Sequence, residues 1–226
     1  MYTKRSFIRI WCLGSPALSC FVLILYCLAH GFCPCLISVP ALRLRESSEF
    51  TSMSNCLEFC DAGLTEIPDH LSGQQVASVD LSCNKLEQIR PGSIAGDALV
   101  ELNISMNKFS GMPSISSLTA LTKLNLSSNA LASLGSSLTE LMNLKHLELS
   151  KNNLDDASVV GRLTALELLD LSCNMLREAP LSGQTLKHLS SLDLSSNRIS
   201  YLHKSIGHFS RLVSLKVPSR PAMLLG

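Results

Sequence analysis

The sequence lacks any run of basic residues beyond its first ten positions. Its 19 Lys and Arg residues are almost balanced by 18 Asp and Glu residues, which gives a formal net charge of +1 at neutral pH. Binding to a nucleic-acid backbone requires clustered positive charge. We therefore expect no nucleic-acid partner.

The sequence also lacks the short motifs that support most enzymatic sites. It contains no glycine-rich phosphate-binding loop, and its Cys and His residues do not form the spaced pairs that bind metals. Ser, Asp and His146 fall on one predicted face, but a nucleophile needs a base within hydrogen-bond reach and a third group to orient it. We predict that the chain is not an enzyme and uses no metal and no cofactor.

Charged residues are absent from a long N-terminal segment. Three basic residues occur within the first nine positions, and no Asp, Glu, Lys or Arg occurs from Ile10 to Leu42. The densest apolar run is 17–29, so residues 1–30 resemble a secretory signal peptide or, if uncleaved, a signal anchor in a membrane. The alternative is an upstream sequence without targeting value, from an alternative or mispredicted first exon. We favour a membrane or secretory location over a cytoplasmic one, and we expect a linker at 31–53, where Pro, Arg and Ser are frequent.

The rest of the chain repeats one eleven-residue pattern six times. The copies start 22 or 23 residues apart, and a weaker seventh start follows at Leu212. A fixed period of this length indicates a solenoid. The six starts are Val76, Leu99, Leu121, Leu144, Leu166 and Leu189. We predict an N-terminal capping repeat at 54–75, six repeats at 76–211 and an incomplete terminal repeat at 212–226.

Each copy begins with a strand that has one apolar face. Leu124 and Leu126 alternate with Lys123 and Asn125, which is strand periodicity. One such unit cannot cover its own apolar face, whereas stacked units form a continuous core. We therefore expect the array, not the single repeat, to be the stable structure.

An Asn follows the strand in every copy. We predict that these side chains point inward and satisfy backbone groups of the turn and of the neighbouring coil, because an unpaired buried polar group costs about 1 to 3 kcal/mol. The predicted ladder comprises Asn84, Asn107, Asn129, Asn152, Asn174 and Asn197.

The six copies of the pattern LxxLxLxxNxL resemble the leucine-rich repeat family. The resemblance implies an α/β solenoid with a curved parallel sheet on its concave face and short helical or 3₁₀ segments on its convex face. It gives conflicting indications of location, because mixed periods of 22 and 23 are typical of intracellular members. Cys33, Cys35, Cys56 and Cys60, by contrast, resemble the disulfide-bonded N-terminal cap of extracellular members, although the gap from Cys35 to Cys56 is longer. The sequence is compatible with four free thiols and with two disulfides.

The resemblance implies a non-enzymatic scaffold or adaptor that binds a protein on its concave face. Outward positions of successive strands form a largely acidic column, which suits a partner with a basic surface; the alternative is a solvated face. The predicted binding residues are Asp80, Asn103, Lys123, Asn125, His146, Glu148, Lys151, Asp170 and Asp193. The serine two positions after each acidic or Asn position is also expected to point outward. Alternative functions are a truncated or structural product without its own partner and an extracellular receptor-like recognition module.

Overall fold

The computed structural model of the 226-residue chain describes residues 43–46, 55–69, 71, 75–179, 185–202, 204–218 and 223–224. The chain divides into two units, Met1–Ala41 and Leu42–Gly226, and every described residue belongs to the second. The predicted signal-peptide-like segment at 1–30 lies outside the described residues. Within the described ranges, no helix is long and apolar enough to cross a membrane.

The described residues form eleven short strands. In chain order these are β1 (Arg43–Glu46), β2 (Asn55–Glu58), β3 (Ser78–Asp80), β4 (Glu101–Asn103), β5 (Lys123–Asn125), β6 (His146–Glu148), β7 (Leu168–Asp170), β8 (Ser191–Asp193), β9 (Tyr201–Leu202), β10 (Ser214–Lys216) and β11 (Met223–Leu224). Nine of them form one sheet in the order β1-β2-β3-β4-β5-β6-β7-β8-β10. Strands β9 and β11 pair separately, in parallel.

Eight strands of the large sheet, from β2 to β10, run parallel to one another. Neighbouring strands are in register, so that Leu124 lies between Leu102 and Leu147. Their side chains point into the core, and Leu124 is only 2% exposed. Between strands the chain returns along the opposite side, where the described residues include 3₁₀ helices at Ser136–Glu140, Ser158–Arg162 and Lys204–His208. The predicted repeat solenoid, with its parallel sheet on the concave face, is confirmed.

A left-handed residue turns the chain at the same place in seven coils. It is the third residue after each strand from β2 to β8, and its φ lies between 54° and 57°. Left-handed conformations are uncommon for residues other than Gly, so the surrounding coil must hold them in place. These residues are Asp61, Cys83, Met106, Ser128, Lys151, Cys173 and Ser196.

The structure differs from the predicted linker at 31–53. Residues Arg43–Glu46 form β1, which pairs antiparallel with β2, with Arg43 opposite Glu58. A parallel array would otherwise expose the backbone edge of β2, and an added strand pairs that edge. The repeat pattern could not predict β1, because this strand lies outside the leucine repeat.

Candidate functional site

The Asn residues of the repeats bond the coils to one another. In an interior coil, Asn152 Nδ2 donates to the carbonyl oxygens of Leu126 at 3.0 Å, Leu149 at 3.0 Å and Ser150 at 3.3 Å. Its Oδ1 accepts the backbone N–H of Leu131 at 3.0 Å. Each of these Asn side chains therefore closes the turn of its own coil and bonds the coil before it. The same pattern of bonds occurs at Asn84, Asn107, Asn129, Asn174 and Asn197.

The Asp and Asn residues of the predicted binding column also have a structural role. Asp193 Oδ1 accepts hydrogen bonds from the backbone N–H of Ser195 at 2.9 Å and from its hydroxyl at 2.6 Å. Asn125 makes the same pair of bonds with Ser127, at 2.9 and 2.7 Å. Such bonds to the residue two positions on define an Asx turn. Corresponding backbone bonds are present at Asp80, Asn103 and Asp170. The fold itself therefore uses these side chains to hold its turns.

The serines that donate these bonds are not all outward-facing. Ser82 is 6% exposed and Ser105 is 7% exposed, so both are buried. The prediction that the whole serine column faces outward is wrong for these two residues.

Glu148 is the exception in the acidic column. It occupies the same strand position as Asn125 and Asp170, its neighbours in the sheet. Its carboxylate makes no hydrogen bond and no ion pair with a described residue, unlike the shorter side chains on either side. Its half-buried carboxylate is therefore available to a ligand. Asp170 Oδ1 accepts the Ser172 N–H at 2.9 Å. The other carboxylate oxygen of Asp170 is not used by this turn and can accept a bond from a ligand.

Several charges on this face are compensated within the chain. Lys123 Nζ lies 2.6 Å from Glu101, and Lys216 Nζ lies 2.9 Å from Asp193. Burial opposes ionisation of Asp193, but hydrogen bonds from Ser195 and Lys216 outweigh it and lower the pKa of the carboxyl. Carboxylates without an ion pair to a described residue therefore remain on Asp80, Glu148 and Asp170, whereas Asp193 at the C-terminal end of the column is paired.

The predicted binding residues fall into three groups in the structure. Asn125, Glu148 and Asp170 lie side by side on β5, β6 and β7, and Lys123 and His146 are neighbours in the adjacent column. At the other end of the face, Asn103 Nδ2 donates to Asp80 Oδ2 at 3.1 Å. Lys151 does not lie on a strand. It is an exposed left-handed turn residue beyond β6.

Sequence reasoning missed Leu168, which lies on the same face. It is the neighbour of His146 in the sheet and is half-buried. The corresponding strand residues are polar, namely Ser78, Glu101, Lys123, His146, Ser191 and Ser214. The apolar residue at a position that is otherwise polar was the signal in the sequence. Leu168 adds an apolar surface to the face that carries the unpaired carboxylate of Glu148.

The described part of the chain contains four cysteines. Cys56, Cys60, Cys83 and Cys173 are free thiols, whereas Cys33 and Cys35 lie outside the described residues. Within the described ranges, no group of three or more His, Cys, Asp or Glu side chains is placed to hold a metal ion.

Comparisons with known proteins agree with this geometry. Leucine-rich repeat family models match residues 74–131, 140–161 and 185–201. A search of curated proteins returns no significant match. Among solved structures, the chain is similar to an internalin (inlF) from Listeria monocytogenes, with 26% identity and a TM-score of 0.56 over 64% of this chain and 42% of the internalin.

Two further solved structures share the fold. The leucine-rich repeat protein LIC12759 from Leptospira interrogans has 23% identity and a TM-score of 0.54, over 73% of this chain and 54% of that protein. The functional domain of InlJ from Listeria monocytogenes has 21% identity and a TM-score of 0.50, over 63% of this chain and 34% of that one. The chain thus spans about half or less of the length of these proteins. The repeat period, the parallel register and these matches together show that the described part of the chain is an array of leucine-rich repeats.

Proposed function

We propose that the protein is a non-enzymatic interaction module whose concave face binds a protein partner with a basic surface. Leucine-rich repeat proteins generally act as non-enzymatic binding modules. The observation that carries the proposal is the acidic pair Glu148 and Asp170 on adjacent strands, neither of which forms an ion pair with a described residue, with the apolar Leu168 on the same face.

The pair suits a ligand that lies across the strands. Neighbouring strands are about 4.8 Å apart, so one extended segment with Lys or Arg side chains can reach both carboxylates. Glu148 has no internal partner, and Asp170 keeps one oxygen free of the Ser172 bond. Charges of this kind mainly steer and orient a partner, while the affinity needs apolar contact as well. Leu168 provides such a contact.

The structure allows a test that removes charge without removing the turn bonds. Glu148→Gln with Asp170→Asn deletes both negative charges, and Asn103 and Asn125 show that Asn keeps the Oδ1 bond at this position. The matched control is Glu140→Gln with Asp155→Asn, which removes two exposed charges that do not lie on the sheet.

Immobilised parent, double variant and control chains should be compared for proteins captured from native lysate by quantitative mass spectrometry. We expect at least one protein to be captured by parent and control, lost with the double variant, and released from the parent as salt rises. If every captured protein is retained equally by the folded double variant, the concave acidic pair is not the binding site. If no captured protein is enriched on the parent, variant or control chain relative to a blank support, the alternative of a structural product without a partner is favoured.

We further propose that residues 1–30 direct the chain to a membrane or the secretory pathway. Support comes from the three basic residues that precede an uncharged segment from Ile10 to Leu42. A C-terminally tagged full chain should be protease-protected in isolated membranes, and N-terminal sequencing should show whether the segment is cleaved. An unprotected chain with an intact N-terminus in the soluble fraction would support the cytoplasmic alternative.

A further inference from the structure

Charged residues are segregated along the axis of the solenoid. Residues 55–84, which include β2 and β3, contain five acidic residues and no Lys or Arg. Residues 194–218, which include β9 and β10, contain four Lys or Arg residues and no Asp or Glu. Strand β1 adds Arg43, Arg45 and Glu46, which leaves its end of the array with more acidic than basic residues. The described array therefore has an acidic end and a basic end.

The two ends are too far apart to neutralise each other. Seven strand spacings separate β2 from β10 in the sheet, and at about 4.8 Å each they span roughly 34 Å along it. Salt screens exposed charges beyond about 8 Å at physiological ionic strength. The ion pairs of the end coils accordingly reach only to the next coil, as in Arg90 with Glu66 and Lys216 with Asp193. The excess charge at each end is available to another molecule.

Charged side chains at both ends are exposed. At the acidic end, Asp61 is an exposed turn residue beyond β2, and the Glu66 side chain is 64% exposed. At the basic end, Arg198 and Arg211 are exposed, and Arg211 lies just before β10. A surface that approaches either end therefore meets charge of one predominant sign.

Strand β10 adds an apolar edge to the basic end. It is bonded to β8 alone within the described sheet, and the Ser214 N–H donates to the Ser190 carbonyl oxygen at 3.0 Å. Alternate residues of a strand direct their N–H and C=O groups to opposite sides, so those of Leu215 face away from β8. Val213 is 90% exposed, and Leu215 and Val217 are also exposed. An edge with open backbone groups and apolar side chains favours pairing with another strand.

Charge selects the surface that can cover this edge. Two β10 edges brought together would place two basic ends in contact, and like charges across an interface are unfavourable. The acidic end of a second copy has the opposite charge. Its strand β1 is also bonded on one side only, to β2, within the described sheet. Pairing of β10 with β1 of the next copy would continue one sheet into the other and bring opposite charges together.

We propose that copies of this chain associate head to tail, with the β10 edge of one copy against the β1 edge of the next. The interface is heterologous, because each copy contributes two different surfaces, and it can therefore extend to further copies. Opposite charge orients the end coils, while Val213, Leu215 and Val217 supply the apolar contact. None of the residues assigned to partner binding on the concave face takes part, so this association is independent of the proposed function.

Two variants reverse the charge of one end each. The basic-end variant is Arg211→Glu with Val213→Glu, which changes two exposed side chains. The acidic-end variant is Asp61→Lys with Glu66→Lys. Lys151 has the same left-handed position in its own coil, which shows that Lys fits the backbone of Asp61. Exposed positions of this kind generally tolerate substitution, and circular dichroism confirms that each variant is folded.

A matched control reverses two charges in the middle of the array. Asp155→Lys with Arg162→Glu changes exposed residues of central coils and leaves both ends as they are. The control therefore separates a change at the ends from a general effect of charge reversal on association.

The experiment measures how much of one tagged full chain is captured by a second copy that carries a different tag. Nonionic detergent limits association through the apolar N-terminal segment. We expect the parent and the control each to capture themselves, and each end variant to capture itself about tenfold less, because its two ends then have like charge. A mixture of the two end variants should restore capture, because opposite charges meet again. Raising the salt from about 50 to 500 mM should weaken capture by the parent.

The pairs of variants distinguish head-to-tail association from the other arrangements. Capture of the acidic-end variant by itself at the parent level would show that two basic ends pair, and capture of the basic-end variant by itself would show that two acidic ends pair. Equal capture in every combination would assign association to another part of the chain. Each of these results would overturn the proposal, as would a parent that does not capture itself or a mixture of folded end variants that does not restore capture.

Discussion

The central strand β6 and the terminal strand β10 have the same sequence pattern but different surroundings. Leu147 in β6 is 0% exposed, whereas the equivalent Leu215 in β10 is 39% exposed. Strand β6 is bonded to β5 and β7, and β10 is bonded to β8 alone within the described sheet. A repeat therefore provides an apolar face, but only the next coil buries it.

The other end of the described sheet shows the effect of a cover. Leu57 lies in β2, the first of the parallel strands, and it is only 2% exposed. There β1 pairs with the edge that β2 presents. An end coil can thus be as well buried as an interior one when an added element pairs with it, and β10 has no such partner among the described residues.

The largest expected effect comes from a charge at the two equivalent leucines. We predict that Leu147→Asp destabilises the array by roughly 4 kcal/mol or more, because the carboxylate would lie in the shared core without a partner. Leu215→Asp should change the free energy of unfolding by about 0.5 kcal/mol, the usual range for surface substitutions. Urea unfolding followed by circular dichroism measures both.

Equal losses of stability in Leu147→Asp and Leu215→Asp would contradict this comparison of the two strands. Small losses in both would place Leu147 outside the core and show that the strand register is wrong. Large losses in both would show that Leu215 is covered in solution.

A smaller effect is expected from the Asn that bonds interior coils. Asn152→Leu should cost about 1 to 3 kcal/mol, because the Leu131 N–H loses its acceptor and the carbonyl oxygens of Leu126 and Leu149 each lose one of their two Asn donors. Its exposed neighbour is the control, since Asn153→Leu should be within about 0.5 kcal/mol of the parent.

The midpoint of urea unfolding should fall for Asn152→Leu at an unchanged slope. A midpoint that also falls equally for Asn153→Leu would show that added apolar surface, and not the lost bonds, causes the change.

The solenoid could be predicted because every coil repeats the same short residue pattern. The period of 22 or 23 residues places Leu124 and Leu147 in equivalent positions, and the Asn after each strand has the same surroundings in every coil. Strand β1 was not predictable, because antiparallel pairing across the 55–58 strand depends on a tertiary contact outside the repeat.

The candidate site was predictable only in part. The alternation of apolar and polar residues identified the outward column. It could not show that Asp193 is bonded to Ser195, or that Glu148 is the one member of the column whose side chain has no such bond. Both outcomes depend on side-chain length at one fixed backbone position.

The smallest effect concerns the ion pair that joins β8 to β10. Because hydrogen bonds from Ser195 and Lys216 lower the pKa of Asp193 despite its burial, ionised Asp193 stabilises the fold above the unfolded pKa of about 3.9. That stabilisation is lost as the pH falls through the lower, folded pKa. Since the Lys216 side chain is 67% exposed, the contribution at neutral pH should be no more than about 1 kcal/mol.

Asp193→Asn tests this contribution while it keeps the turn, because Asn125 shows that an Asn accepts the same serine bonds. We expect the variant to be slightly less stable than the parent at neutral pH and to lose less stability on acidification below about pH 4. Lys216→Gln should reproduce the neutral-pH loss, since it removes the partner of the same charge. If the stability difference between the parent and Asp193→Asn were independent of pH, the carboxylate of Asp193 would not be stabilised in the folded chain, and the bond between β8 and β10 would rest on the backbone alone.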